Sequence, residues 1–148
     1  SFKMGDLSGA GDEDEKPVHK VRIDYSFAVG KYEVTRGEFA KFITKTGYDA
    51  GNSCYVWAGT KWESRSGKTW RDPGYSQTDR DPVACVSWDD VKAYVDWMSR
   101  KSGKEYRILS ESEWEYIARA GSTSEYPFGA YLPNTCVLGR LNFPHSAI

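Results

Sequence analysis

The chain has no long apolar run, no excess of one charge sign and very few side chains suited to metals, and each lack removes a class of function. No stretch approaches the roughly 20 apolar residues needed to cross a bilayer as a helix. Its 20 Lys and Arg are balanced by 21 Asp and Glu for a net charge of −1. Without a basic field, nucleic acid is excluded as a partner. The two histidines, His19 and His145, cannot supply a zinc triad, and an iron site of two His and a carboxylate would need them to converge from opposite ends. Gly-x-Ser-x-Gly, Walker and dinucleotide motifs are absent. The three cysteines, Cys54, Cys85 and Cys136, show no Cys-x-x-Cys spacing. Being odd in number, they leave one unpaired unless another chain joins in.

What is present reads as one domain. A chain of 148 residues, 39% hydrophobic and 28% charged, has the composition of a globular protein with a single core. Three helices announce themselves by the same device. Ser110 with Glu113, Thr35 with Glu38, and Ser87 with Asp90 each form a capping box, in which hydroxyl and carboxylate satisfy backbone N–H groups left free at a helix start. Apolar residues follow at helical spacing: Trp114, Ile117 and Ala118; Phe39, Phe42 and Ile43; Val91, Tyr94, Val95 and Met98. Gly121 and Gly47 end the third and first helices in the left-handed conformation. Trp114, Tyr94 and Phe42 are expected to meet in a shared apolar interior.

Between Pro17 and Thr35, alternation of Val21, Ile23 and Tyr25 with Lys20, Arg22 and Asp24, then Phe27, Val29 and Tyr32 to Val34, predicts two strands paired antiparallel. Pro82 to Val86 is a short buried strand. The acidic run Asp12 to Glu15 is a solvated loop, and His19, alone on a strand, is structural. From Tyr48 to Asp81 no period is sustained, and Trp57, Trp62 and Trp70 stand among glycines and a proline, which predicts an ordered long loop of functional kind. Cys85 is expected to be a small buried apolar residue. Cys54 and Cys136 fall in loops, and a bridge between them is an option that spacing does not decide.

Arg107 to Arg119, Arg-Ile-Leu-Ser-Glu-Ser-Glu-Trp-Glu-Tyr-Ile-Ala-Arg, resembles the Arg-Leu-Pro-Thr-Glu-Ala-Glu-Trp-Glu-Tyr-Ala-Ala-Arg signature of the formylglycine-generating enzyme family, or sulfatase-modifying factors. It departs at Ile108, Leu109, Ser110, Ser112 and Ile117, and Leu109 replaces a proline that would stiffen the turn into the helix. Further blocks are similar to the family in the same order: Phe2-x-Met4-Gly5, Pro17-x-His19-x-Val21, Lys31 to Thr35, Pro82-Val83-x-x-Val86-Ser87-Trp88-Asp89-Asp90, and Tyr126-Pro127-Phe128-Gly129. Val95 stands where the family often has a cysteine of a structural disulfide.

The resemblance implies an irregular α+β fold related to C-type lectins, with a small antiparallel sheet, two or three helices and long loops. It implies oxidation of a sulfatase cysteine to formylglycine by molecular oxygen at a Cu(I) ion held by two cysteines in the second half of the family domain. No cysteine of this chain matches that pair, so residues 1–148 are expected to form the N-terminal part of a larger domain, inactive alone. Asn142 and Phe143 match a segment that helps bind structural calcium. Glu111, Glu113 and Glu115 are read as capping and helix-dipole residues rather than acid–base catalysts. The implied partner is a sulfatase-type cysteine peptide or another protein, with self-association if truncation exposes apolar surface. The rival reading is a binding module of the same fold that grips a peptide, glycan or protein with the tryptophan loop. No secretory leader is visible, but Ser1 is not an initiator Met. The compartment, cytoplasmic or exported in a bacterium, is left open.

Overall fold

The computed structural model describes residues 1–9 and 11–124. In chain order its elements are β1 (Phe2–Met4), a 3-10 turn (Glu13–Glu15), β2 (His19–Val21), α1 (Arg36–Thr46), β3 (Ser53–Trp57), β4 (Trp62–Ser66), α2 (Trp88–Ser102) and α3 (Glu111–Arg119). Among the described residues, three helices and two small antiparallel sheets make an α+β arrangement. The described residues divide into two compact units, one built from residues up to 28 together with those from 109 onward, the other from residues 29–108.

All three helices begin at the residues that the capping pattern names. Thr35, Ser87 and Ser110 each accept from the backbone N–H three residues on, and Glu38, Asp90 and Glu113 each return the bond to the capping residue's own N–H. Each cap contributes on the order of 1 kcal/mol. Gly47 closes α1 and Gly103 closes α2 in the left-handed region. At the end of α3 that position is Ala120, at φ 46°, and Gly121 follows it at φ 85°. The chain thus turns left-handed one residue earlier than the glycine predicts.

In the first unit β1 pairs antiparallel with β2, Phe2 opposite Val21 and Met4 opposite His19, and α3 packs on β1, with the Phe2 and Tyr116 rings 5.5 Å apart. The two strands expected within 17–35 are not partners of each other. The only strand between residues 17 and 34 is β2, whose ladder is completed by residues at the start of the chain. The alternation that suggested strands survives as half-buried Val21 and Ile23 beside exposed Arg22 and Asp24, since burial on one side sets that pattern with or without a hydrogen-bonded neighbour.

The second unit has an aromatic core. Phe39, Phe42 and Ile43 of α1 are buried with Trp70, and Tyr48, Val83, Val86, Ala93, Tyr94 and Trp97 pack against them. Phe42 alone has the rings of Phe39, Tyr48, Tyr94 and Trp97 within 5.3–5.6 Å. Contacts of this kind add about 0.5–1.5 kcal/mol beyond simple burial. Tyr94 and Met98 are half-buried rather than fully enclosed, and Trp97, absent from the expected stripe, joins the core. The Pro82–Val86 strand is reduced to one bridge between Pro82 and Thr35 and a bond from the Val83 N–H to the Val34 carbonyl. The acidic segment Glu13–Glu15 is exposed as expected.

Two expectations fail in instructive ways. Trp114 is 51% exposed, so it does not share an interior with Phe42 and Tyr94. The stretch 48–81 is not a loop throughout: β3 and β4 form an antiparallel hairpin with Trp57 opposite Trp62. Its strands conceal themselves in sequence because no residue in them is fully buried, and without a buried face the hydrophobic period disappears.

Candidate functional site

Two of the signature's carboxylates, Glu113 and Glu115, are tethers. Glu113, 1% exposed, accepts from the Ser110 N–H at 2.8 Å and hydroxyl at 3.1 Å through Oε2, and from the Tyr25 hydroxyl at 2.9 Å through Oε1. Glu115 Oε1 accepts from the Gly5 N–H at 2.9 Å and from Arg119 Nε at 2.7 Å. Arg119 Nη2 in turn donates to the Gly5 carbonyl at 2.7 Å. Glu115 and Arg119 thereby hold both backbone groups of one glycine, an assignment that capping and dipole arguments did not foresee. Gly5 itself is irreplaceable: at φ 106° a Cβ would sit 2.6 Å from the Glu15 carbonyl oxygen. The spacing of Glu115 and Arg119, four apart on one helix face, was the available signal; their target was not.

Beside Gly5, Asp6 organises the following loop. Its oxygens accept from the Ser8 hydroxyl and from the Ser8, Gly9 and Gly11 N–H groups. Those bonds, the Ser8 hydroxyl first, lower its pKa from 3.8 to about 2, because they favour the charged carboxylate. His19 is exposed and its Nδ1 donates to the Pro17 carbonyl at 3.0 Å.

The hairpin presents a cluster of exposed aromatic side chains. Its register sets Tyr55, Trp57 and Trp62 on one face together with Ser53, Ser64 and Ser66. Tyr55, Trp57 and Trp62 are exposed, and the two indoles meet edge to face at 5.8 Å. Glu63 and Arg65 lie on the opposite face and neutralise each other at 2.8 Å. The result is an uncharged platform of rings and hydroxyls. Of the three tryptophans that the sequence grouped as a gripping loop, Trp70 is withdrawn: it is 5% exposed, with Arg71 stacked 4.1 Å from its ring.

The cysteines are arranged otherwise than spacing suggests. Cys54 on β3 is disulfide-bonded to Cys85. Cys85 is therefore no buried free thiol, and Cys54 has no vacancy for a bridge to Cys136. A separation of 31 residues did not keep the two apart. Cys136, Asn142, Phe143, His145 and the Tyr126–Gly129 turn lie outside the described residues. Among the described residues no group of three or more His, Cys, Asp or Glu could hold a metal ion, and no helix is long and apolar enough to cross a membrane. The donor set does not fit a two-thiolate Cu(I) site: with Cys54 and Cys85 joined, a chain of three cysteines keeps at most one thiol.

Comparison with known proteins bears on the same residues. Residues 1–145 match the family described as sulfatase-modifying factor enzyme 1-like domain. The formylglycine-generating enzyme of Thermomonospora curvata is 34% identical over an alignment covering 97% of this chain and 56% of that protein. That of Mycobacterium tuberculosis is 31% identical, covering 87% and 52%. The inactive C-alpha-formylglycine-generating enzyme 2 of Bos taurus is 28% identical, covering 97% and 54%. The chain spans about half the length of these curated relatives. On the match over residues 1–145, the chain belongs to the sulfatase-modifying factor family.

Proposed function

We propose that this chain is the scaffold and peptide-holding portion of a formylglycine-generating domain, and that it does not by itself oxidise a cysteine. The observation that carries the reading is the Cys54–Cys85 bond. A soft Cu(I) ion held by thiolates needs two of them, and this chain offers at most one. The matched portion would then position a sulfatase-type cysteine peptide, while the oxidising centre is supplied from outside residues 1–148. The C-type-lectin-like character of the fold and a calcium site at Asn142 and Phe143 belong to the same proposal. Calcium is tested by calorimetric titration of the metal-stripped chain, where no heat of binding would remove it.

The test of function is direct. The chain is incubated with Cu(I), oxygen and a Cys-x-Pro-x-Arg peptide, and the peptide is weighed by mass spectrometry. An unchanged peptide is expected; aldehyde would overturn the reading. A second reading, a non-catalytic module binding peptide, glycan or protein, is favoured by the exposed face of Tyr55, Trp57 and Trp62. It predicts that Trp57→Ala with Trp62→Ala abolishes binding to a peptide or glycan array. Binding that survives the pair of changes removes that reading.

A further inference from the structure

The hairpin is held in an unusual way. Neither strand contains a buried residue, and its broad contacts run between β3 and β4 alone. Its other bonds stay within it: the Gly67 N–H donates to the Asn52 carbonyl at 2.7 Å, the Ala58 N–H to the Lys61 carbonyl at 2.9 Å, and Glu63 pairs with Arg65. Among the described residues, no hydrogen bond, ion pair or ring stack joins residues 53–66 to the rest of the unit. An isolated two-stranded hairpin is marginal in water. The Cys54–Cys85 disulfide is the exception, and its far end is anchored. Val83 and Val86 on either side of Cys85 pack on the α1 core, and the Val83 N–H is bonded to Val34. Cys85 itself sits at φ 57°, a left-handed conformation that a side chain with a Cβ adopts at a cost. The bond therefore joins a strained but anchored residue to an element that, among the described residues, no other hydrogen bond, ion pair or ring stack fastens to its unit.

We infer that Cys54–Cys85 is a reducible fastener: its opening releases the β3–β4 hairpin, with its Tyr55, Trp57 and Trp62 face, and leaves the α1–α2 core folded. The chemistry requires an external dithiol as reductant. One thiolate of the dithiol attacks a sulfur of the bond, forming a mixed disulfide, and the other cysteine departs as a thiolate and takes a proton. The second thiol of the reductant then closes on the first, so the reductant leaves as a disulfide, two electrons poorer, and Cys54 and Cys85 remain as thiols. Cys85 is then free to leave the left-handed region and the hairpin loses its attachment. This inference does not depend on what the aromatic face binds.

Hydrogen exchange read by mass spectrometry tests it on the 148-residue chain carrying Cys136→Ser, which leaves a single pair of cysteines. On adding dithiothreitol, with alkylation confirming two new thiols, amides of β3 and β4 are expected to exchange roughly tenfold faster or more, while α1 and α2 change less than about twofold. Reoxidation should restore the hairpin's protection. A Cys54→Ser, Cys85→Ser variant should match the reduced protein; if it fails to fold, the dithiothreitol titration alone decides. Unchanged hairpin exchange on reduction overturns the inference, and so does an equal loss of protection in α1, which would make the bond a staple of the whole unit.

Discussion

Replacing Glu113 by alanine should damage stability and leave no gap in chemistry, and the size of the damage follows from its bonds. The change removes the return half of the α3 capping box, worth about 1 kcal/mol. It also removes a charged acceptor for the Tyr25 hydroxyl, where loss of a hydrogen bond to a charged group costs about 1.5–3 kcal/mol. Tyr25 is 55% exposed, so water can replace that acceptor and the lower end applies. A loss of about 2–3 kcal/mol is expected in urea unfolding followed by circular dichroism. Tyr25→Phe in a double-mutant cycle should show coupling of about 0.5–1.5 kcal/mol. A loss below about 0.5 kcal/mol at unchanged m value, or no coupling to Tyr25, refutes the tether assigned to this carboxylate.

Phe42→Ala opens a cavity among four aromatic rings and should cost about 3–5 kcal/mol, read from the shift in urea midpoint; a cost under about 1 kcal/mol would mean that the ring cluster is not the core. Gly37→Ala would place a Cβ 2.9 Å from the Asp79 carbonyl oxygen, so despite alanine's better helix propensity a net loss of about 1–2 kcal/mol is expected, and a gain would contradict the close crossing. Asp6 has a folded pKa of about 2, below its ordinary 3.8, so its contribution is present above pH 3.8 and disappears as pH falls through 2. Asp6→Asn should flatten that part of the acid-unfolding curve, and an NMR titration placing Asp6 near 3.8 would defeat the argument.

The helices were legible because their instructions are local. Thr35, Ser87 and Ser110 each carry both halves of the cap within four residues, and Phe39, Phe42 and Ile43 state their face within five. What could not be read was set by distant partners. β2 finds β1 rather than its sequence neighbour, Trp70 enters the core while Trp57 and Trp62 on β3 and β4 do not, and Cys54 finds Cys85. Trp114 obeys the helical period yet faces outward, since periodicity names a face without naming what covers it. Among candidate site residues, the capping role of Glu113 was legible, but the hold of Glu115 and Arg119 on Gly5 was not. A helix pattern records spacing along itself and nothing of a backbone 110 residues away.

The hydrogen bonds between Gly5 and the pair Glu115 and Arg119 also fix an order of assembly. Among the described residues the second unit is the single stretch 29–108, whereas β1, paired with β2, must wait for α3, which is synthesised only after that stretch. On a ribosome the opening strand would leave the tunnel early and, with β2 beside it, stand without α3 while the intervening 80-odd residues acquire their shape. Nascent chains stalled shortly after Thr78, Tyr106 and Ser124 and probed by brief proteolysis should show protection spreading outward from the middle; early resistance at Phe2 to Met4 would reverse that sequence of events.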